Sequence, residues 1–292
     1  MMSQAKFDKL VALYRAIIFK INSREGTLVI ANNEQRDLVN ELLSADNDEY
    51  GLKILQGNVD DLQVGEPIEL EVSDPKISLG IVATDIDDLL VAPKARIREP
   101  ARYFIIKENF CVSDLSVPDS IVRYRNILKV VALFKQAAAY LDEDSIELIF
   151  INEGKYEVPI QFNATDIPKV DSDCIYRLLE SFENDTHKNQ KLSILAKSIY
   201  SVCNSAVPKK RFSHLIEHLP ELLKSFSEGY RLFVADFSYD KIVNQLEVAK
   251  LEEIGKIHKT FSDIQNQILG IPVATIVVAT QMKTASQVGY EF

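Results

Sequence analysis

The spacing of apolar residues predicts two kinds of element in the first third of the chain. Residues 5–21 and 34–43 carry apolar residues at helical spacing, and the run 27–31 between them is typical of a strand. Beyond these elements, short apolar runs alternate with prolines and other turn residues, which predicts further strands. These strands are expected at 68–72, 77–83, 89–92, 95–97 and 102–106. We therefore predict a small α+β domain over residues 1–112, with a mostly antiparallel sheet.

Helical spacing dominates the next region, which we predict to be an α/β helical domain over residues 113–237. A broad apolar face predicts a helix over 118–141. The runs 146–151 and 156–162 predict a β-hairpin. Further helices are expected at 172–184, 187–204, 211–218 and 220–227, and one last strand at 230–237.

A long stalk helix is predicted over residues 238–267, where charged and apolar residues recur at helical spacing and Ser238 is a candidate cap. Near its end, apolar residues repeat at alternating spacings of three and four, as do the a and d positions of a coiled coil. The repeat predicts a homo-oligomer, and the alternative is one amphipathic helix packed on its own domain. The predicted oligomerisation residues are Ile254, Ile257, Phe261, Ile264 and Ile268.

The segment that follows is apolar, and no residue from 264 to 282 carries a charge. A run of this length is near the lower limit for crossing a bilayer, where its backbone would have to be helical. We expect 268–282 to enter a membrane and 268–292 to be a truncated transmembrane region of a longer protein. A buried core strand, favoured by β-branched residues, and a partner-binding tail are the alternatives. The predicted membrane residues are Ile271, Val273, Ile276, Val277 and Val278.

The net charge limits the classes of partner, and the cysteine content indicates the cellular compartment. The formal net charge is −10, which argues against a nucleic-acid surface because phosphate binding relies on lysine and arginine. The short basic cluster 209–211 is interpreted as a solvated loop. Cys111, Cys174 and Cys203 lie far apart without metal-ligand spacing, which indicates reduced thiols in the cytosol. Together with the apolar segment, this predicts a location at the cytoplasmic face of the inner membrane.

One short motif carries candidate chemistry. His214-Leu-Ile-Glu-His218 spells H-x-x-E-H, in which His214 and His218 would be zinc ligands and Glu217 the general base. A third ligand well downstream is not evident. Motifs for phosphate loops, dinucleotide binding and nucleophile elbows are absent from the sequence. We therefore expect no cofactor and favour a binding protein over an enzyme.

The predicted order of α/β domain, long helix and apolar segment resembles the layout of CorA-type ion transporters, although the Gly-Met-Asn signature of that family is missing. By architecture alone, we expect a cytosolic sensing or regulatory region of a membrane-anchored oligomer, such as a bacterial stress or phage-defence effector. Its ligand or protein partner is not identified. The alternatives are a soluble protein-binding adaptor and a zinc-dependent hydrolase that uses the H-x-x-E-H motif.

Overall fold

The computed structural model describes residues 2–44, 47–57, 62–76, 78–151, 154–184 and 186–285. They belong to two compact units, Met1–Gly229 and Tyr230–Phe292. The described residues form helices and three small sheets, which confirms the predicted α+β class.

The helices and strands have the following bounds. The helices are α1 (Met2–Ala16), α2 (Asn33–Ser44), α3 (Asn47–Tyr50), α4 (Ile86–Val91), α5 (Asp119–Ala137), α6 (Ser172–Glu180), α7 (Lys188–Cys203), α8 (Arg211–Glu217) and α9 (Leu219–Ala285). The strands are β1 (Ile18–Phe19), β2 (Glu25–Val29), β3 (Leu52–Gln56), β4 (Pro67–Val72), β5 (Ile81–Ala83), β6 (Tyr103–Ile105), β7 (Phe110–Cys111), β8 (Tyr140–Asp142), β9 (Glu147–Ile151) and β10 (Lys155–Pro159).

The first sheet is antiparallel, with strand order β1-β2-β4-β3. In β4 the residues Ile68, Leu70 and Val72 are buried, while the two glutamates between them are half-buried. This alternation buries one face of the sheet, because successive side chains of a strand point to opposite faces. Phe7 and Tyr14 of α1 belong to the same hydrophobic core, so the predicted helix and antiparallel sheet of this region are confirmed.

The second hydrophobic core surrounds α5, which contacts α6, α7, β8 and β9. Buried residues occur on several sides of α5, as its broad apolar face predicts. The predicted hairpin is also confirmed, since β9 and β10 pair antiparallel from Ile151 opposite Lys155 to Glu147 opposite Pro159. Helices α6, α7 and α8 begin within one residue of their predicted first residues.

Two predicted strands of the first region are wrong. Residues 89–92 fall mostly in α4, whose cap is Asp85; the carboxylate of Asp85 accepts a hydrogen bond from the backbone N–H of Asp88 at 3.1 Å. An aspartate at this position satisfies a backbone donor that the first helical turn leaves unpaired. Residues 95–97 form a turn.

The predicted strand over 230–237 and the predicted helix start at Ser238 are also wrong. One continuous helix, α9, runs from Leu219 to Ala285. Pro220 lies in the first turn of α9, just after α8 ends at Glu217, and its missing N–H breaks no intrahelical hydrogen bond there. At 1.5 Å per residue, the 67 residues of α9 span about 100 Å.

The apolar segment 268–282 has a helical backbone and belongs to α9, so the core-strand alternative is wrong. In the part of the chain that the structure describes, no helix is both long and apolar enough to span a membrane.

Candidate functional site

The first turns of α9 are packed into the second hydrophobic core. Leu219, Leu222 and Phe226 are buried there. The ring of Phe226 stacks on that of Phe182, with ring centroids 5.2 Å apart. The start of α9 is therefore an ordinary core helix of the first unit.

The same helix has a different environment from Tyr230 onward. The structure describes every residue from Tyr230 to Ile268, and none of them is buried; Tyr230, Phe233 and Val243 are half-buried and the others are exposed. The exposed residues include many that normally lie in cores. In the described chain, this stretch of α9 is the longest one that carries large apolar residues without burying any.

The predicted oligomerisation residues all lie on this exposed part of α9. Their side chains are between 41% and 66% exposed, from Ile254 to Phe261. Because they recur at spacings of three and four, they form one line along the helix. The register continues in sequence at residues 271, 275, 278 and 282, of which only Thr275 is polar.

A second run with the same spacing precedes this line. We call the two runs together the apolar stripe. Its members are Leu232, Ala235, Tyr239, Ile242 and Leu246 in the first run, and Ile254, Ile257, Phe261, Ile264 and Ile268 in the second. Leu246 and Ile254 are eight residues apart rather than seven, so the two runs are out of phase by one residue. A coiled coil accommodates such insertions by a local change in winding.

The predicted membrane residues can be placed only in part. Ile276, Val277 and Val278 lie on α9 and are exposed. Ile271 and Val273 lie on the same helix, and their side chains are outside the described residues.

The H-x-x-E-H residues lie at the end of α8. His214 is in the helix, Glu217 is its last residue, and His218 follows as the C-terminal cap. The two imidazole ring centroids are 4.0 Å apart. The Nδ1 atom of His218 lies 2.9 Å from the backbone oxygen of His214, and Glu217 accepts a hydrogen bond from Lys169 at 3.5 Å. Among the described residues, no three histidine, cysteine, aspartate or glutamate side chains gather as a metal site.

His214 and Glu217 instead line a cavity of about 900 Å³ in the first unit. We call it the basic cavity, because four of its lining residues are Arg96, Lys169, Lys209 and Lys210. Its acidic lining residues are Asp166 and Glu217, and both lie near the same cation: Lys169 Nζ is 3.7 Å from Asp166 and 3.5 Å from Glu217.

Arg96 is fixed in the wall of this cavity by backbone carbonyl groups. Its Nη1 donates to the oxygen of Leu90 at 2.7 Å, and its Nε to the oxygen of Phe162 at 3.4 Å. No carboxylate of the described residues lies within 4.0 Å of its guanidinium. Burial lowers the pKa of Arg96, and the charge of Asp87 opposes part of this effect.

Arg125 shows how a carboxylate partner changes the pKa of a half-buried arginine. It too is half-buried, and burial alone would lower its pKa, but Glu99 accepts a hydrogen bond from its Nε at 2.8 Å. This hydrogen bond and the charge of Glu99 outweigh burial, so the pKa of Arg125 is raised. The pKa of half-buried Arg96 is lowered because the charge of Asp87 does not outweigh the effect of burial.

The other walls of the basic cavity come from distant parts of the sequence. Ser213 of α8 donates to the backbone oxygen of Gln161 at 2.8 Å, which ties α8 to the segment after β10. Phe162 and Phe212, with ring centroids 5.7 Å apart, are buried on these same two segments. The sequence prediction treated 209–211 as a solvated loop and missed Arg96, because only the tertiary fold brings these positions together.

No family model matches the chain, and no curated protein or solved structure is significantly similar to it.

Proposed function

We propose that this protein is a regulatory or sensing protein that acts as a homo-oligomer. In this proposal the exposed part of α9 joins the copies, and the first unit binds a ligand or partner. The observation that carries the proposal is the apolar stripe, in which large aliphatic and aromatic residues of α9 are exposed along most of a long helix.

The energetics of helices support this role for α9. Most helical stability in proteins comes from packing an apolar face, and a long helix without such packing is marginal in water. Each large aliphatic or aromatic side chain that is fully buried contributes roughly 1.5–3 kcal/mol. Packing of the stripe against a second copy would therefore stabilise α9 by many kcal/mol, provided that both runs are covered.

The residue types beside the second run of the stripe also support a helix–helix interface. The residues between members of the second run include Lys256, His258, Lys259, Asp263 and Gln265, which are polar and exposed. Lys256 and Glu253 form an exposed ion pair at 2.7 Å on the same helix. An apolar seam with polar flanks is the arrangement of a coiled coil, whereas a helix buried in a core is apolar on more sides.

The test is the mass of the full chain in solution for two matched variants. Ile257→Glu places a charge in the stripe, and Val248→Glu places the same charge outside it; the two side chains are 55% and 56% exposed. We expect Ile257→Glu to weaken self-association at least about 100-fold, which corresponds to about 3 kcal/mol. Light scattering should then give a smaller mass for Ile257→Glu, with Val248→Glu equal to the unmodified chain.

Equal masses for the unmodified chain and both variants would contradict the proposal. Circular dichroism at 222 nm provides a second measurement, because α9 should lose helix content when Ile257→Glu separates the copies.

Membrane attachment through 268–282, at the cytoplasmic face of the inner membrane, is a separate part of the proposal. It is supported by the uncharged sequence and by the exposed Ile276, Val277 and Val278. Its test is co-flotation of the full chain with phosphatidylethanolamine–phosphatidylglycerol vesicles, which Val277→Lys should abolish. Recovery of the unmodified chain away from the vesicles would contradict it.

The adaptor and hydrolase alternatives remain predictions. An adaptor would keep its single-chain mass and bind another protein through its acidic surface. A zinc-dependent hydrolase would contain about one zinc per chain by elemental analysis, and His214→Ala would remove the metal. A metal-free protein that is fully active would contradict the hydrolase interpretation.

A further inference from the structure

We infer that the basic cavity binds a small molecule that carries two or more phosphate charges. The inference concerns the first unit alone and does not depend on self-association through α9. Its basis is an excess of unmatched cations on the walls of one cavity, in a protein whose formal net charge is −10.

The charges on the walls do not balance. Four cationic side chains line the cavity, and its two carboxylates both lie within 4.0 Å of Lys169. Arg96, Lys209 and Lys210 therefore have no carboxylate within 4.0 Å in the described chain. Three unmatched cations around one space favour a ligand with more than one negative charge.

The three cations differ in exposure and in hydrogen bonding, and this difference indicates the kind of anion. Arg96 is half-buried and is fixed by Leu90 and Phe162, so its guanidinium is already oriented. A fixed guanidinium suits a phosphate, because its N–H groups can contact two phosphate oxygens at once. Lys209 and Lys210 are exposed and follow each other in a short 3-10 turn, so they can adjust to a second phosphate.

Neutral hydrogen-bonding groups complete the lining. Asn163, Ser205 and Gln161 contribute amide and hydroxyl groups to the cavity. A volume of about 900 Å³ is within the range of small-molecule sites. Phe162 of the lining and the neighbouring Phe212 are buried, so the aromatic surface that the described residues offer for base stacking is limited to the half-buried imidazole of His214. This composition favours recognition of the phosphate groups over recognition of a nucleobase.

The experiment is a calorimetric titration of the full chain with pyrophosphate. We expect one site per chain with a dissociation constant below about 1 mM. The double variant Lys209→Gln/Lys210→Gln should weaken binding about tenfold or more, because it removes two cations without disturbing a described ion pair. Arg96→Lys keeps the charge but loses the planar donor group, so it should weaken binding as well.

The matched control is Lys197→Gln/Lys224→Gln. Both lysines are exposed, line no part of the basic cavity and make no ion pair with described residues. This variant removes the same net charge and should bind pyrophosphate within about twofold of the unmodified chain. An equal loss in both double variants would show a general charge effect and overturn the inference.

Two further results would overturn it. One is no saturable binding of pyrophosphate up to about 10 mM. The other is saturable binding of a single-stranded oligonucleotide that the cavity variants weaken while pyrophosphate does not bind. The test is separable from self-association, because the cavity variants should keep the mass of the unmodified chain and Ile257→Glu should keep its pyrophosphate affinity.

Discussion

The two parts of α9 have similar apolar content but different surroundings. From Leu219 to Phe226, its apolar residues lie in a core shared with other helices of the first unit. From Tyr230 to Ile268, residues of the same types are exposed or half-buried. Helical periodicity predicts that a face will be covered, but it does not identify what covers it. For the second part of α9, we propose another copy of the chain.

The largest expected difference between the two parts of α9 is in the free energy of unfolding that is lost when Phe226 or Phe261 is replaced by alanine. Phe226 is 2% exposed, so Phe226→Ala should lower the free energy of unfolding of the first unit by about 3–5 kcal/mol. Phe261→Ala should change that free energy by less than about 0.5 kcal/mol, while reducing the mass of the oligomer. Urea unfolding followed by tyrosine fluorescence measures the first effect, since the chain has 11 tyrosines and no tryptophan.

Similar unfolding free energies of the first unit for Phe226→Ala and Phe261→Ala would contradict the proposed difference in surroundings between the two parts of α9. A large loss of stability in the first unit with Phe261→Ala would mean that the second part of α9 is covered by its own chain.

A half-buried ion pair of the first unit and an exposed ion pair of α9 should differ next in their contribution to stability. Arg24 donates to Asp88 and to Asp74, each at 2.8 Å. Burial alone would raise the pKa of Asp88, but hydrogen bonds from the N–H of Thr84 and from Arg24 outweigh it, so the pKa is lowered. Asp88→Asn should therefore destabilise the first unit by about 1–2 kcal/mol at neutral pH. Glu253→Gln, which breaks the exposed pair on α9, should have no measurable effect.

The contribution of Asp88 to the free energy of unfolding should depend on pH, and the direction of its pKa shift gives the sign of that dependence. Because the folded-state pKa of Asp88 lies below its ordinary value of 3.8, its stabilising contribution is complete above that value. The contribution is lost as the pH falls through the folded-state pKa. Urea unfolding at a series of acidic pH values should show a shallower loss of stability for Asp88→Asn, and an unchanged slope would contradict the assignment.

The smallest expected difference separates two glycines of α9. A β-carbon at Gly229 would lie 2.7 Å from Cγ2 of Ile194, so Gly229→Ala should destabilise the first unit by about 1 kcal/mol despite the better helix propensity of alanine. At Gly255 a β-carbon would meet nothing within 4 Å, so Gly255→Ala should stabilise the helix by about 0.5–1 kcal/mol. Thermal melts followed by circular dichroism at 222 nm measure the change in melting temperature that each substitution causes. Changes of the same sign for Gly229→Ala and Gly255→Ala would contradict the difference in packing.

Local sequence patterns correctly predicted those helices and strands whose apolar residues recur with the period of the element. The alternation in β4 and the broad apolar face of α5 both indicate correctly which side chains are buried. The segment 89–92 was predicted to be a strand because its aliphatic run is short, although Asp85 and the acidic residues after it are typical of a helix start. That signal was present in the sequence, and the short aliphatic run outweighed it in the prediction.

Other features depend on contacts that no local pattern contains. The residues 230–237 are rich in aromatic and aliphatic residues, which favours a strand locally, but they continue a helix already formed by core packing at Phe226. The basic cavity could not be predicted because Arg96 lies in a turn after α4 and Lys209 precedes α8. Their proximity results from the tertiary fold, and each residue alone is typical of a solvated surface.

Sedimentation equilibrium of the unmodified full chain over a wide range of concentrations tests self-association through α9 most directly. We expect a mass of at least twice the single-chain value of 33.0 kDa at micromolar concentrations, and a smaller mass for Ile257→Glu. A single-chain mass of 33.0 kDa for the unmodified protein at every concentration would contradict it.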